Sequence, residues 1–152
     1  MGMKVLRAVI SAAVLCATGL ALCQAKPKGA GVIGTWRLEH IDSPGPDGKP
    51  VEAPQPAGML IYTPDGHASV QLMYPQATLT NEFVHDGYEA TFGTYDLNEA
   101  LHQLTYHVQG SATREKLVGK SETLTYELPD ARHMIIRPVQ PGQHWSVTWE
   151  RY

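Results

Sequence analysis

The chain has 152 residues, a formal net charge of −3, 43% hydrophobic residues and two cysteines, Cys16 and Cys23. That is room for one domain with a core of its own. The acidic balance excludes the basic footprint of a nucleic-acid-binding protein.

The N-terminus reads first. Residues 1–7 carry Lys4 and Arg7 and no acid, residues 8–22 are an almost unbroken apolar run, and Cys23-Gln24-Ala25 offers small residues at −3 and −1 of a cleavage site. This pattern predicts a secretory signal peptide over residues 1–25, hence an exported protein, periplasmic or secreted. The run is short for a membrane span, which needs about 20 apolar residues. A second reading stands beside it. Leu20-Ala21-Leu22-Cys23 resembles a lipobox, which would anchor the chain through a lipidated Cys23, although Leu22 stands where a small residue is usual. Membrane attachment is expected only in that case. Cleavage after Ala25 would remove both cysteines, Lys4 and Arg7, leaving a more acidic chain without disulfides that relies on its core.

Residues 26–32 form a polar, glycine-containing leader, and a single domain is expected over residues 33–152. Residues 33–41 are the first strand. Residues 42–56, with five prolines and two glycines, are a loop. Residues 58–63 and 67–73 make a hairpin about Thr63-Pro64-Asp65-Gly66, where Pro presets φ and Gly tolerates a positive φ. Residues 74–86 read either as a lid-like loop or as holding a short helix around residues 81–85. Residues 88–97 and 101–110 form a second hairpin. Residues 117–128 contain another strand, clearest from Glu122. Residues 133–137 and 144–151 complete the set, with Trp145, Val147 and Trp149 on one face.

Eight strands, almost no helix and mostly short sequential connections predict an all-β fold, an eight-stranded antiparallel up-and-down barrel closed so that no edge is exposed. Its interior has room for packed side chains or one small ligand. A β-sandwich is the alternative.

Nucleotide and metal chemistry find no support. Gly29 to Gly34 formally matches G-x-G-x-x-G, but no strand precedes it and a strand follows, so no helix N-terminus would hold a pyrophosphate. Gly119-Lys120-Ser121 echoes a P-loop end, but Arg114 stands where its first glycine belongs. No G-x-S-x-G or H-E-x-x-H occurs. No cofactor is therefore expected. The seven histidines show no metal-ligand spacing, and His102 and His107 point to opposite faces of one strand, so no metal site is expected.

The strand holding Leu104, Tyr106 and Val108 alternates them with Gln103, Thr105, His107 and Gln109. One reading turns the apolar face inward and leaves His107 in solvent, and the cost of burying unpaired polar groups favours it. The other turns His107 inward to orient a ligand. The same choice arises for His67, Ser69 and Gln71. Asp96 and Glu89 fall on opposite faces and form no acid–base pair within their strand. The aromatic residues are core or cavity wall.

Gly34-Thr35-Trp36 resembles the Gly-x-Trp signature of the first lipocalin strand. Residues 60–67, 69–73, 92–95 and 107–111 resemble, in order and spacing, strands of the bacterial and fungal lipocalin-like domain family within the calycin superfamily. The charged segment 112–120 departs from that pattern. The resemblance implies a barrel with a pocket, with Gly34, Trp36 and Arg151 closing one end; Arg137 is the second candidate for the arginine. The expected function is binding of a small, mainly apolar molecule inside the barrel. The candidate contacts are His107, Tyr106, Tyr62, His67, Gln71, Phe92 and Tyr95. One alternative is an isomerase or lyase of the same fold with His107 or His67 as general base. Another is a structural or interaction domain with a filled core. Fold alone does not choose among them, and nothing in the sequence marks a catalytic residue or an oligomeric state.

Overall fold

The computed structural model describes residues 31–45, 49 and 55–152; the expected export signal lies outside the described residues. Eight strands follow in order: β1 Gly34–Asp42, β2 Ala57–Tyr62, β3 His67–Met73, β4 Tyr88–Asn98, β5 Gln103–Ser111, β6 Ser121–Glu127, β7 His133–Pro138 and β8 Ser146–Arg151. Each pairs antiparallel with the next, and β8 returns to pair with β1, so the sheet closes into an up-and-down barrel. The closure of β8 on β1 replaces the sandwich alternative.

Connection lengths give the barrel two unlike ends. At one end lie the tight turns: Thr63 to Gly66 between β2 and β3, Glu99 to His102 between β4 and β5, and Leu128 to Arg132 between β6 and β7. The start of β1 and the end of β8 meet there. The longer connections, including residues 74–87 and 112–120, gather at the other end. The first turn is held by Gly66 N–H donating to the Thr63 carbonyl at 3.1 Å.

Period-two alternation decides which faces turn inward. On β5, Leu104 and Val108 are buried while His107 lies on the outer face. On β3, Ala68 and Leu72 are buried while His67 and Gln71 are exposed. The core joins Trp36, Leu60, Tyr62, Leu104, Tyr126, Met134, Ile136 and Trp149 from strands all round the ring.

Of the two readings of residues 74–86, the loop holds and the short helix around residues 81–85 does not form. The Asn81 side-chain oxygen instead accepts from the Phe83 and Val84 N–H groups at 2.9 and 2.8 Å. That local bond offers the backbone an alternative to a helical turn, and five residues are too few to offset helix nucleation. The segment folds back on itself, with Tyr74 N–H donating to the Gly87 carbonyl at 2.8 Å and Gly87 N–H to the Leu79 carbonyl at 2.9 Å. Gly87 has φ +78, and a Cβ there would sit 2.8 Å from the Gln76 carbonyl oxygen, so the return needs glycine. A single 3-10 turn, Glu115–Leu117, lies in the β5–β6 connection.

Candidate functional site

A cavity of about 630 Å³ occupies the barrel interior and reaches the end with the long connections. This lies within the range of about 300–1,000 Å³ usual for small-molecule sites. Leu60, Val70, Leu72, Val108, Ile136 and Trp149 supply apolar wall, and Tyr74, Phe83, Val84 and Trp145 stand among the lining residues from the connections and the adjoining strand ends.

Polar groups collect on the β4–β5–β6 wall. Glu89 and Thr91 come from β4, Tyr106 from β5 and Glu122 from β6, and all four line the cavity. Tyr106 stands opposite Glu122 in the sheet register. Its hydroxyl donates to Thr91 Oγ1 at 3.1 Å. Burial raises the Glu89 carboxyl to about 7, and the charge of Glu122 adds to the shift. Glu122 is raised as well, by burial first and by Glu82 second. Burial and the charge of Glu89 push the Tyr74 hydroxyl up to about 12. Burial raises Tyr106, against the effect of its bond to Thr91. Neither Glu89 nor Glu122 makes a hydrogen bond or ion pair with a described residue. Nearer solvent, Lys120 Nζ lies 3.9 Å from Glu82 Oε1.

The segment 74–87 borders this cavity through Asn81, Glu82, Phe83 and Val84. Arg114 straps it to the β5–β6 connection: its Nε donates to the Val84 carbonyl at 3.0 Å, and Nη2 donates to the carbonyl of Asn81. Val84 is thereby held buried.

The seven contacts expected from sequence divide. Tyr62 and Tyr106 line the cavity. The other five do not. His107 lies on the outer wall, where its Nε2 is 2.9 Å from Asp96 Oδ2 and its Nδ1 is 2.6 Å from Ser121 Oγ. His67 is exposed beside Asp65 at 3.2 Å, and Gln71 is exposed on the same face of β3. Phe92 is 57% exposed and covers Gly110 from outside. Tyr95 is buried, but toward the tight-turn end: its ring meets Tyr62 edge-on at 4.8 Å, and its hydroxyl donates to the Thr63 carbonyl at 2.8 Å. The physical reason is common to the outward four. Their alternate neighbours are the better hydrophobes or the smaller residues, and the sheet turns those inward.

At the tight-turn end Trp36 is fully buried and Arg151 lies over its ring. Gly34 has φ +145, and a Cβ there would collide with the Arg151 guanidinium. Arg137 is elsewhere, paired with Glu127 at 2.8 Å.

Sequence reasoning missed Glu89, Glu122, Thr91 and Arg114. A signal existed for one of them: Glu122 heads the alternation that continues through Leu124 and Tyr126, which places an acid on an apolar face. Among the described residues, no group of three or more His, Cys, Asp and Glu side chains is arranged to hold a metal ion.

Residues 33–152 match the family model described as a lipocalin-like domain. The comparison with curated proteins finds no match. Among solved structures the chain is similar to the wild-type fluorescent protein UnaG, at 14% identity and a TM-score of 0.42, over 82% of this chain and 99% of that one.

Proposed function

The chain belongs to the lipocalin-like domain family, and from that premise we propose that it is an exported binding protein holding one small, mainly apolar molecule inside its barrel. The observation that carries this reading is the cavity of about 630 Å³, whose wall is mainly apolar, with Glu89, Thr91, Tyr106 and Glu122 on the β4–β5–β6 side and further polar residues, among them Ser43, Asn81, Gln140 and Gln143, at the end with the long connections. Burying ligand surface there would contribute roughly 25 cal/mol per Å² of apolar area, less the cost of immobilising the ligand. The polar groups would fix its orientation. Support for export comes from the residue pattern of the N-terminus, with its charged start, apolar run and small-residue cleavage site.

The enzyme alternative loses its motive, because His107 and His67, its two bases, stand away from the cavity lining. A filled structural core is likewise disfavoured by the open volume.

Titration with uncharged Nile red tests the reading. One probe should bind per chain with a blue-shifted emission. Val70→Trp, which places a large ring in the cavity, should weaken binding at least about tenfold, or about 1.4 kcal/mol. Absence of binding, or equal binding by a folded Val70→Trp variant, would overturn the proposal.

A further inference from the structure

Four charged side chains line the cavity: Glu82, Glu89, Glu122 and Lys120. Lys120 and Glu82 lie 3.9 Å apart, and their side chains are 56% and 60% exposed, so this pair balances itself near solvent. Glu89 and Glu122 are different. They project into the barrel from β4 and β6, on either side of β5, and neither has a hydrogen-bonding or ionic partner among the described residues. The groups facing them are Leu72 on β3, Tyr74 from the β3–β4 connection, Thr91 and Tyr106 on the wall, Glu82 toward Glu122, and each other. Lys120 is the one cation among the lining residues.

Carboxyl groups set in an apolar wall without an ion-pair partner are costly to ionise while the cavity holds no compensating charge. An occupant that brings a positive charge on an apolar body would relieve that cost. Resting on the binding function proposed above, we propose that the ligand is a small organic amine, its ammonium placed between Glu89 and Glu122 and its apolar body against Leu60, Val70 and Trp149.

Other ligand chemistries fit less well. A carboxylate ligand would add a like charge beside two acids. A neutral ligand would bring no charge to favour ionisation of either acid. A bare divalent cation of the hard type takes about six oxygen ligands, and here it would leave the apolar wall bare. Tyr74 and Tyr106 stand beside the acids, and aromatic faces attract alkylammonium groups.

Binding of this kind is linked to protons. The free protein holds the Glu89 proton up to about pH 7. An ammonium seated beside Glu89 favours its ionised form, so near neutrality the carboxyl releases its proton to solvent while the amine keeps its own. Affinity for the amine therefore rises with pH through this range.

The test is displacement of Nile red by three matched compounds: 4-phenylbutylamine, 4-phenylbutan-1-ol and 5-phenylpentanoate. At pH 8 the amine should displace the probe at a concentration at least about tenfold lower than the alcohol, a difference of about 1.4 kcal/mol. The carboxylate should be the weakest. The amine's advantage should shrink at pH 5.5 and vanish in the Glu89→Gln/Glu122→Gln double variant, whose own Nile red binding reports an intact barrel. Equal potency of amine and alcohol, a preference for the carboxylate, or an amine preference that survives the double substitution overturns the inference while leaving a Nile red-binding pocket in place. If that variant does not fold, the ligand order and its pH dependence in the unsubstituted protein decide. Failure of Nile red to bind the unsubstituted protein removes the binding function itself, and this inference with it.

Discussion

The guanidinium of Arg151 lies over the indole of Trp36, with its central carbon 4.0 Å from the ring centroid. The two residues are cross-strand partners in the β1–β8 pairing that closes the barrel. The same guanidinium donates to the carbonyls of Ile33 at 2.7 Å and Gly31 at 2.8 Å, and Trp36 Nε1 donates to the Val32 carbonyl at 2.9 Å. The stack therefore ties the chain entering β1 across the end of the barrel, as well as joining its first and last strands.

Arg151→Ala should destabilise the fold by about 2–4 kcal/mol, since it removes charge-assisted hydrogen bonds and a cation–π contact together. Arg151→Lys should recover less than half of that loss. One ammonium does not reproduce a planar group that stacks and donates to two carbonyls at once. Trp36→Ala should cost about 3–5 kcal/mol, as for other large buried aromatics. Urea titrations of the three variants check the order. A lysine variant as stable as the unsubstituted protein would show that stacking and bidentate donation contribute nothing.

The closed end was legible through the resemblance of Gly34-Thr35-Trp36 to the lipocalin signature, with Arg151 as its implied partner, and through local turn signals. Gly34-Thr35-Trp36 sits at a strand start, Pro64-Asp65-Gly66 makes a tight turn, and Arg151 ends the last strand. The strand count was legible for a similar reason, since turn residues bound each apolar alternation. The open end was not. Glu89 and Glu122 are 33 positions apart, and only closure of the barrel brings both to the lining of one cavity. Arg114 belongs to a charged connection, and its bonds go to backbone carbonyls 30 and 33 residues away. Such contacts leave no periodic trace. His107 shows the converse. It is a conspicuous residue on a strand that carries Leu104, Tyr106 and Val108, and the apolar set took the inside.

His107→Leu is accordingly expected to leave Nile red binding unchanged within about twofold. Its partners Asp96 and Ser121 are outer-wall residues, and its own side chain is 38% exposed. The stability change should stay below about 1 kcal/mol, as for most substitutions of this kind. A large loss of probe affinity in a stable His107→Leu protein would contradict the outward placement.

Export makes a prediction independent of the barrel. Intact-mass measurement of the protein recovered outside the cytoplasm should give an N-terminus at Lys26, from the charged start, apolar run and Cys23-Gln24-Ala25 site. A mass carrying lipid on Cys23 would establish the lipoprotein alternative, and an uncleaved chain confined to the cytoplasm would dispose of both.

Arg114 should govern the rate at which the cavity exchanges its contents. Its bonds to Val84 and Asn81 hold the segment that borders the cavity. Arg114→Ala should raise hydrogen exchange of the amides in residues 79–87 and speed both association and dissociation of Nile red, with a smaller change in affinity. Stopped-flow rates separate this from a direct contact, whose loss would act mainly on dissociation.

Glu89 should make the protein less stable as the solution becomes more basic. An unfolded Glu89 loses its proton near 4.5 and the folded one near 7, because burial and the charge of Glu122 oppose ionisation. Below the unfolded value both states hold the proton and Glu89 exerts no pH-linked effect. Between the two values the unfolded chain binds fewer protons than the folded one, so stability falls as pH rises; above the folded value the full cost is present, on the order of a few kcal/mol. Glu89→Gln removes this dependence while keeping the shape of the side chain. Its stability relative to the unsubstituted protein should improve from pH 4 to pH 8, with most of the change between about pH 5 and pH 7. Urea midpoints at four or five pH values measure the difference, and a gap that stays constant with pH would show that the Glu89 carboxyl ionises inside the barrel as easily as it does in water.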